Sequence, residues 1–299
     1  MTVYDTIRPL LPKGLVLADE PMSRHTSFKI GGPAEVYATP ENTHQLKQIW
    51  QACLNKGYPV TILGDGCNVL AADEGIKGVV IATNRMNQIE VNAPYLTAGS
   101  GTKMARMAET ACKAGLAGLE FASGIPGTVG GGVFMNAGAY GQDMQAVCES
   151  VEALLPDGSL ISYPREQLGF SYRTSRFQKE RAIITSATFK LTPANPEDIR
   201  AKMALLNNRR RESQPLSYPS AGSAFKRPAK EGLYASKMID DCGLKGFTIG
   251  GAQVSEKHAG FIINTGNATA ADVKNLMEAI RDKVHKAYGV WLEPEVQMI

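Results

Sequence analysis

The stretch from Gly115 to Gly141, GLAGLEFASGIPGTVGGGVFMNAGAYG, restricts this chain more than any other. Glycine at Gly124, Gly127, Gly130, Gly131 and Gly132 removes Cβ atoms from successive turns, so the backbone can take positive φ and bring its N–H groups close to a ligand. The interleaved Ser123, Thr128 and Asn136 are short donors and acceptors suited to a pyrophosphate and the edge of a flat heterocycle. A tight structural turn explains the same glycines equally well. No GxGxxG follows a strand and no GxxxxGK occurs, so nothing here makes a phosphate site specific.

The other bounds come from size and charge. With 299 residues and 43% hydrophobic content, the chain should form two or three domains with real cores. Lysine and arginine number 32 against 29 acids, and a net of +3 argues against nucleic acid as the partner. The one basic run, Arg209-Arg210-Arg211, reads as a solvated helix end or a phosphate site. The cysteines at 53, 67, 112, 148 and 242 show no CxxC spacing and are odd in number, which points to reduced thiols. His25, His44, His258 and His285 lie far apart with no HExxH, so no metal site is expected. The start, MTVYDTIRPLLPKG, lacks a basic segment followed by an apolar one, and no window reaches about 18 uninterrupted apolar residues. A soluble cytoplasmic chain with no membrane partner is expected, as a monomer or weak dimer.

Read in order, the pattern is mixed α and β. Ser27 to Pro40 turns at Gly31-Gly32-Pro33 and resumes as a strand around Val36; Glu41 to Gly57 is a helix with Leu46, Ile49, Trp50 and Cys53 at helical spacing. Val60 to Leu63 and Gly78 to Ile81 read as buried strands flanking a second glycine loop, Gly64-Asp65-Gly66-Cys67-Asn68. Strands at Ile89 to Val91 and Leu96 to Gly99 precede a helix from Thr102 to Ala114, with Gly115 beyond it, and the Gly99 to Gly101 GSG is taken as a turn. Val151 to Leu155 and Leu160 to Tyr163 form a hairpin around Asp157-Gly158, and Ala182 to Leu191 is a further strand. Asn195-Pro196-Glu197-Asp198 starts a helix that runs to the arginine triplet. Gln214 to Pro228 reads as loop, Tyr234 to Asp241 as helix and Ile249 to Val254 as strand. Thr269 to Asp272 resembles a capping box before a stripe of Val273, Leu276, Met277, Ile280 and Val284. Domains are expected at 1–84 (α/β), 85–205 (α+β) and 206–299.

Three small clusters carry possible chemistry. Arg173, in Tyr172-Arg173-Thr174-Ser175, offers a planar fork that grips a carboxylate or stabilises an enolate, or is an ordinary surface arginine. In Ser220 to Lys226 a hydroxyl sits beside a flexible glycine with a lysine three residues on. As a proton donor, that serine requires an intermediate as basic as a carbanion or enolate; otherwise the segment is a turn. Leu292-Glu293-Pro294-Glu295-Val296 places two acids about a proline near the end, where a glutamate is usually exposed and inert.

Taken together and in order, HTSFKIGGPAE (His25 to Glu35), LGDGCNVL (Leu63 to Leu70), GIPGTVGGGVFMNAGAYG (Gly124 to Gly141), SYRTS (Ser171 to Ser175), YPSAGSAFKRP (Tyr218 to Pro228), GLKGFTIGGAQVSEKHAGFIIN (Gly243 to Asn264) and LEPEV resemble the UDP-N-acetylenolpyruvoylglucosamine reductase family over nearly the whole chain. The resemblance implies an α+β architecture: a two-lobed vanillyl-alcohol-oxidase-like (PCMH-type) FAD-binding fold, then a C-terminal α+β substrate-binding domain. It implies non-covalent FAD, NADPH, and reduction of UDP-N-acetylglucosamine enolpyruvate to UDP-N-acetylmuramate for peptidoglycan. Hydride would pass from flavin N5 to the enolpyruvyl methylene carbon. By the same resemblance Ser223 then protonates an enolate stabilised by Arg173 and Glu295. The cofactor would lie on Leu63, Gly64, Asp65, Gly66, Cys67, Asn68 and Val69, on Ser123, Gly124, Ile125, Pro126, Gly127, Thr128, Val129, Gly130 and Gly131, and on Asn136, Ala137 and Gly138. Tyr172, Arg211, Gly222 and Lys226 would contact substrate, with Lys226 and Arg211 toward its diphosphate.

Some positions depart from the family pattern. The first loop more often reads GNGSN, so Asp65 brings a negative charge toward a pyrophosphate unless it points outward, and Cys67 replaces a hydroxyl. Arg227 stands where many members have asparagine and is assigned no role. The short Arg181 to Ile199 segment places the chain in the shorter, second-type subgroup. Two alternatives stand beside this reading. One is another FAD-dependent oxidoreductase of the same fold, such as a sugar or lactone oxidase, expected to carry an FAD-linking histidine or cysteine. The other is a non-catalytic flavin or UDP-sugar binding protein.

Overall fold

The computed structural model describes residues 2–230 and 232–299. Its packing separates two compact units, and neither is one continuous stretch of chain. The first comprises Met1–Ala18, Glu35–Asp65 and Lys77–Arg210; the second comprises Asp19–Ala34, Gly66–Ile76 and Arg211–Ile299.

The first unit has two sheets. One runs Val16–Pro21, Pro33–Ala38, Ile76–Ala82, Val60–Leu63 across its width, with Val60–Leu63 parallel to Ile76–Ala82. The helix Thr43–Lys56 packs on it because Leu46, Ile49, Trp50 and Cys53 fall on one face and join Val36, Val79 and Ile81 in a single cluster. Asn42 Oδ1 accepts from Gln45 N at 3.0 Å at its start, and Gly57, at φ 69°, ends it in the left-handed form that glycine adopts at least cost. Val60–Leu63, expected as a buried strand, is the sheet's edge and leaves Ile62 42% exposed. The second sheet is antiparallel, ordered Leu160–Pro164, Cys148–Leu154, Ile183–Lys190, Tyr95–Gly99, Ile89–Asn92. Met104, Met107, Ala108 and Ala111 of the helix Met104–Lys113, Val129 and Val133 of the glycine-rich helix Val129–Phe134, and Ile199 and Met203 of Pro196–Ser213 fill its core.

In the second unit a four-stranded sheet, ordered Ser220–Ser223, Phe261–Asn264, Ala252–Val254, Thr248–Ile249, is covered by the helix Ala270–Tyr288 through Val273, Leu276, Met277, Ile280 and Val284. Thr269 and Asp272 form the expected capping box. The carboxylate of Asp73 accepts from Ala270 N at 2.7 Å and Ala271 N at 3.0 Å, so it answers two further N–H groups of that first turn. Two expectations change here. Gln214 to Pro228 contains a strand, and Ile249 to Val254 is a hairpin, because Gly250 at φ 54° turns the chain back. Phe261–Asn264, for which the sequence raised no expectation, is the strand joining these two pieces.

Boundaries at 84 and 205 remain a proposal. Three hydrophobic clusters lie broadly along those divisions, but Phe28, Ile30 and Leu70 pack with the C-terminal cluster, so their segments fold with residues far away in the chain. No helix among the described residues is long and apolar enough to cross a membrane.

Candidate active site

In the first unit, four segments converge at the C-terminal end of Val60–Leu63, where open parallel sheets leave room for ligands. A Cβ on Gly64 would stand 2.3 Å from Thr128 Oγ1, one on Gly130 2.9 Å from Ser100 Cβ, and one on Gly101 1.9 Å from Thr83 O. Only glycine permits such approaches. Val129 N donates to Thr102 O and Gly130 N to Ser100 O, both at 2.8 Å, which ties the glycine-rich helix to the GSG turn. Thr128 Oγ1, Ser100 Oγ and Asn84 Oδ1 are all buried there without a hydrogen-bond partner. Buried polar atoms are nearly always partnered, so three such groups around one glycine cradle mark a place where a polar ligand belongs. The GSG turn is thus part of the cradle.

The rest of the loop splits its work. Ser123 Oγ donates to Glu120 O at 2.8 Å and to Asn207 Oδ1 at 3.3 Å, so its hydroxyl is engaged by protein. Behind Gly124 lies Arg210, whose partial burial lowers its pKa from the ordinary arginine value without removing its charge, which adds a half-buried cation beside the loop. Asn207 escaped the sequence reading and Arg210 entered it only within the basic run, although their i, i+3 spacing puts them on one helix face. Asp65 does not point outward: its side chain is only 10% exposed and is ion-paired to Lys103.

Asn136, in the left-handed region at φ 42° and 1% exposed, makes three protein contacts. Its Nδ2 donates to Ser171 O at 3.0 Å and Asp143 Oδ2 at 3.1 Å, and its Oδ1 accepts from Gln145 N at 2.9 Å. Ser175 Oγ and Gln178 Nε2 both donate to Phe134 O, and Gln178 Nε2 also reaches Arg173 O at 2.9 Å. The end of the glycine-rich helix therefore fixes the loop bearing Arg173, itself at φ 55°. Arg173 Nη2 donates to Gly138 O at 3.3 Å, and its guanidinium lies 5.1 Å from the ring centroid of Tyr172, which is 52% exposed. The guanidinium is planar by its own delocalisation, and this cation–π contact helps hold it against the Tyr172 ring.

The second unit brings Ser223 and Glu295 together. Gly222, at φ 77°, produces a bulge between the pairs Ser220↔Ile263 and Ser223↔Phe261. Next to it Glu295 N donates to Ala224 O, and Lys226 N to Glu293 O, both at 2.9 Å, so the chain's end runs alongside Ser223–Lys226. Asn68, expected on the cofactor, donates its amide to Glu295 O at 3.1 Å; Gln297 N donates to Asn68 O, and Val69–Leu70 pairs in parallel with Gln297–Met298. Gly66 packs against His25 O, 2.2 Å from where its Cβ would stand, and Ser27 N donates to Gly66 O. Residues 66–69 thereby hold Glu295 in place. Lys226 Nζ pairs with Glu293, and Arg211 O accepts from Lys257 Nζ.

A family model described as an FAD binding domain matches residues 34–163, and one described as UDP-N-acetylenolpyruvoylglucosamine reductase, C-terminal domain, matches residues 214–299. The crystal structure of UDP-N-acetylenolpyruvylglucosamine reductase from Thermus caldophilus superposes with a TM-score of 0.80 at 34% identity, covering 95% of this chain and 97% of that one. The grass pollen allergen Phl p 4, with glucose dehydrogenase activity, shares the fold alone: TM-score 0.51, 15% identity, 65% of this chain and 45% of that one. Fold and cradle define a flavoprotein of the two-lobed PCMH-type class with an added C-terminal α+β domain. A UDP-N-acetylenolpyruvoylglucosamine reductase from Caldanaerobacter subterraneus is 46% identical over 99% of this chain and 98% of its own. This chain belongs to the UDP-N-acetylenolpyruvoylglucosamine reductase family.

The residues present fit FAD. Unpartnered Thr128 Oγ1 and Ser100 Oγ are short donors in a glycine cradle, and Arg210 is a half-buried cation beside it. Glycine closeness and neutral hydroxyls suit a diphosphate approached by backbone.

Proposed function

We propose that this chain reduces the enolpyruvyl ether of UDP-N-acetylglucosamine enolpyruvate to the lactyl ether of UDP-N-acetylmuramate, using FAD and NADPH, in peptidoglycan precursor synthesis. FAD held in this cradle would supply two-electron hydride chemistry between NADPH and the methylene carbon of the substrate alkene. Hydride addition there leaves a carbanion on the adjacent carbon, delocalised into the substrate carboxylate as an enolate. Arg173 and Glu295 serve that developing charge, Arg173 through its two-pronged donor edge. Ser223 Oγ gives its proton to the enolate carbon, which completes the saturated product, and the serine recovers a proton from solvent.

The adjacency of Ser223 and Glu295, fixed by Glu295 N on Ala224 O, carries this reading. A serine hydroxyl becomes a useful acid only toward a strong base, and an enolate is one; a sugar or lactone oxidase has no need of that pair. Lys226 exchanges Glu293 for a substrate phosphate oxygen, with Arg211 toward the same diphosphate, while Tyr172 and Gly222 contact the substrate. Five cysteines, odd in number and without CxxC spacing, agree with a reducing, cytoplasmic setting.

Ser223→Ala tests the assignment. Flavin reduction by NADPH stays at the wild-type rate, while reoxidation by the enolpyruvyl sugar slows by about 10²- to 10⁴-fold, the contribution of a positioned general acid. Equal loss in both halves, or none, would remove the proton-donor role.

A further inference from the structure

We propose that Lys103 belongs to the cofactor site: its ammonium cancels the charge of Asp65 in the Gly64 loop, and without it that wall of the cradle repels a dinucleotide's diphosphate. The proposal rests on the flavin reading above and concerns a residue to which that reading gives no role.

The loop after Leu63 approaches Thr128 so closely that Gly64 has no room for a Cβ, and Thr128, 2% exposed, has an unpartnered hydroxyl. That hydroxyl marks the diphosphate end of the cradle, and the next residue after Gly64 is an acid. With its side chain 10% exposed, Asp65 has little water to screen its charge. A carboxylate charge there raises the cost of bringing in an anion that carries two negative charges.

Lys103 is placed to prevent this. It lies in a backbone bridge with Thr128, immediately before the helix Met104–Lys113, and Met104 N donates to Gly127 O at 3.0 Å, so its position is fixed by the loop that lines the cradle. From there its Nζ forms the ion pair with Asp65, although the lysine side chain is 60% exposed. An ordinary surface ion pair contributes little to stability. This pair should matter little to the apo fold and much to anion binding, and the two roles separate by experiment.

The test is a double-mutant cycle on FAD affinity, measured by quenching of flavin fluorescence on titration into deflavinated full-length protein. Wild type, Lys103→Met, Asp65→Asn and the double variant are compared, with Lys103→Gln repeating the first arm and the unfolding midpoint of each apoprotein recorded. Lys103→Met weakens FAD by about tenfold, the size expected of one unscreened charge near a surface site. Asp65→Asn binds as well as wild type or better, and the double variant returns to within about threefold of wild type. The Lys103→Met loss shrinks as salt rises, because screening removes it. Affinity within twofold of wild type in both lysine variants would overturn the proposal, as would a double variant as weak as Lys103→Met. Failure of the wild type to bind FAD would overturn the flavin reading itself, a different and separately visible result.

Discussion

Gly131 distinguishes a glycine kept for a ligand from one kept for packing. It is exposed, the third residue of the helix Val129–Phe134, and a Cβ there meets only Thr128 Oγ1, at an ordinary 3.8 Å. No protein group forbids alanine. Since glycine in a helix is less stable than alanine by about 0.5–1 kcal/mol, Gly131→Ala should leave the apoprotein as stable as wild type or slightly more so. The added methyl projects from a helix start lining the cradle, and inserting one into a filled site costs about 1–3 kcal/mol, which corresponds to FAD binding weaker by about 5- to 150-fold. Gly132→Ala is the counterpart: its Cβ would stand 2.7 Å from Met144 Cε and 2.9 Å from Met104 Sδ, flexible ends that must shift within a fully buried core, so whatever loss follows falls on folding and not on FAD. Denaturant unfolding of the apoproteins and flavin titration of each variant give both numbers. If Gly131→Ala bound FAD within twofold of wild type at undiminished stability, the cofactor would not lie against that turn.

Asn136→Gly keeps the left-handed backbone but removes the amide that holds Ser171 O; flavin reduction should survive while reoxidation by the enolpyruvyl sugar slows at least about tenfold through a displaced Arg173, and loss of FAD instead would make Asn136 a direct cofactor contact. His258 accepts from Gly260 N through Nδ1, and burial lowers its pKa below 6.5. The folded state thus prefers neutral imidazole, so stability is full above the unfolded-state value and falls as pH drops toward the folded one; unfolding midpoints of His258→Gln should lack that acid-side decline. Burial pushes the Cys53 and Cys148 thiols up to about 12, so alkylation of native protein near neutral pH, followed by mass spectrometry, should leave both unmodified.

Local signals foretold much of this fold. The Leu46, Ile49, Trp50, Cys53 stripe, the start at Asn195-Pro196 and the Thr269 to Asp272 box each rest on neighbours within a turn or two, and each became the expected helix. What failed depended on distant partners. Ser220–Ser223 reads as a loop because it is rich in glycine, serine and proline nearby, and becomes a strand only against Phe261–Asn264. Ile62 looks like core until its strand proves to be an edge. At the site, residue types were legible and their uses were not. Asn68 and Asn136 look like ligand amides, and each also holds a loop in place, through Glu295 O and Ser171 O, a use that only the folded chain reveals. Ser100 was hidden in an ordinary turn, and Lys103, which pairs with Asp65, stands 38 residues further along.

The most direct measurement follows flavin absorbance anaerobically in purified, FAD-loaded protein. One equivalent of NADPH should bleach the flavin, and UDP-N-acetylglucosamine enolpyruvate should then restore the colour with one equivalent of UDP-N-acetylmuramate formed. A flavin that NADPH leaves oxidised, or one whose colour returns only with air and without the lactyl ether, would contradict the proposed reaction.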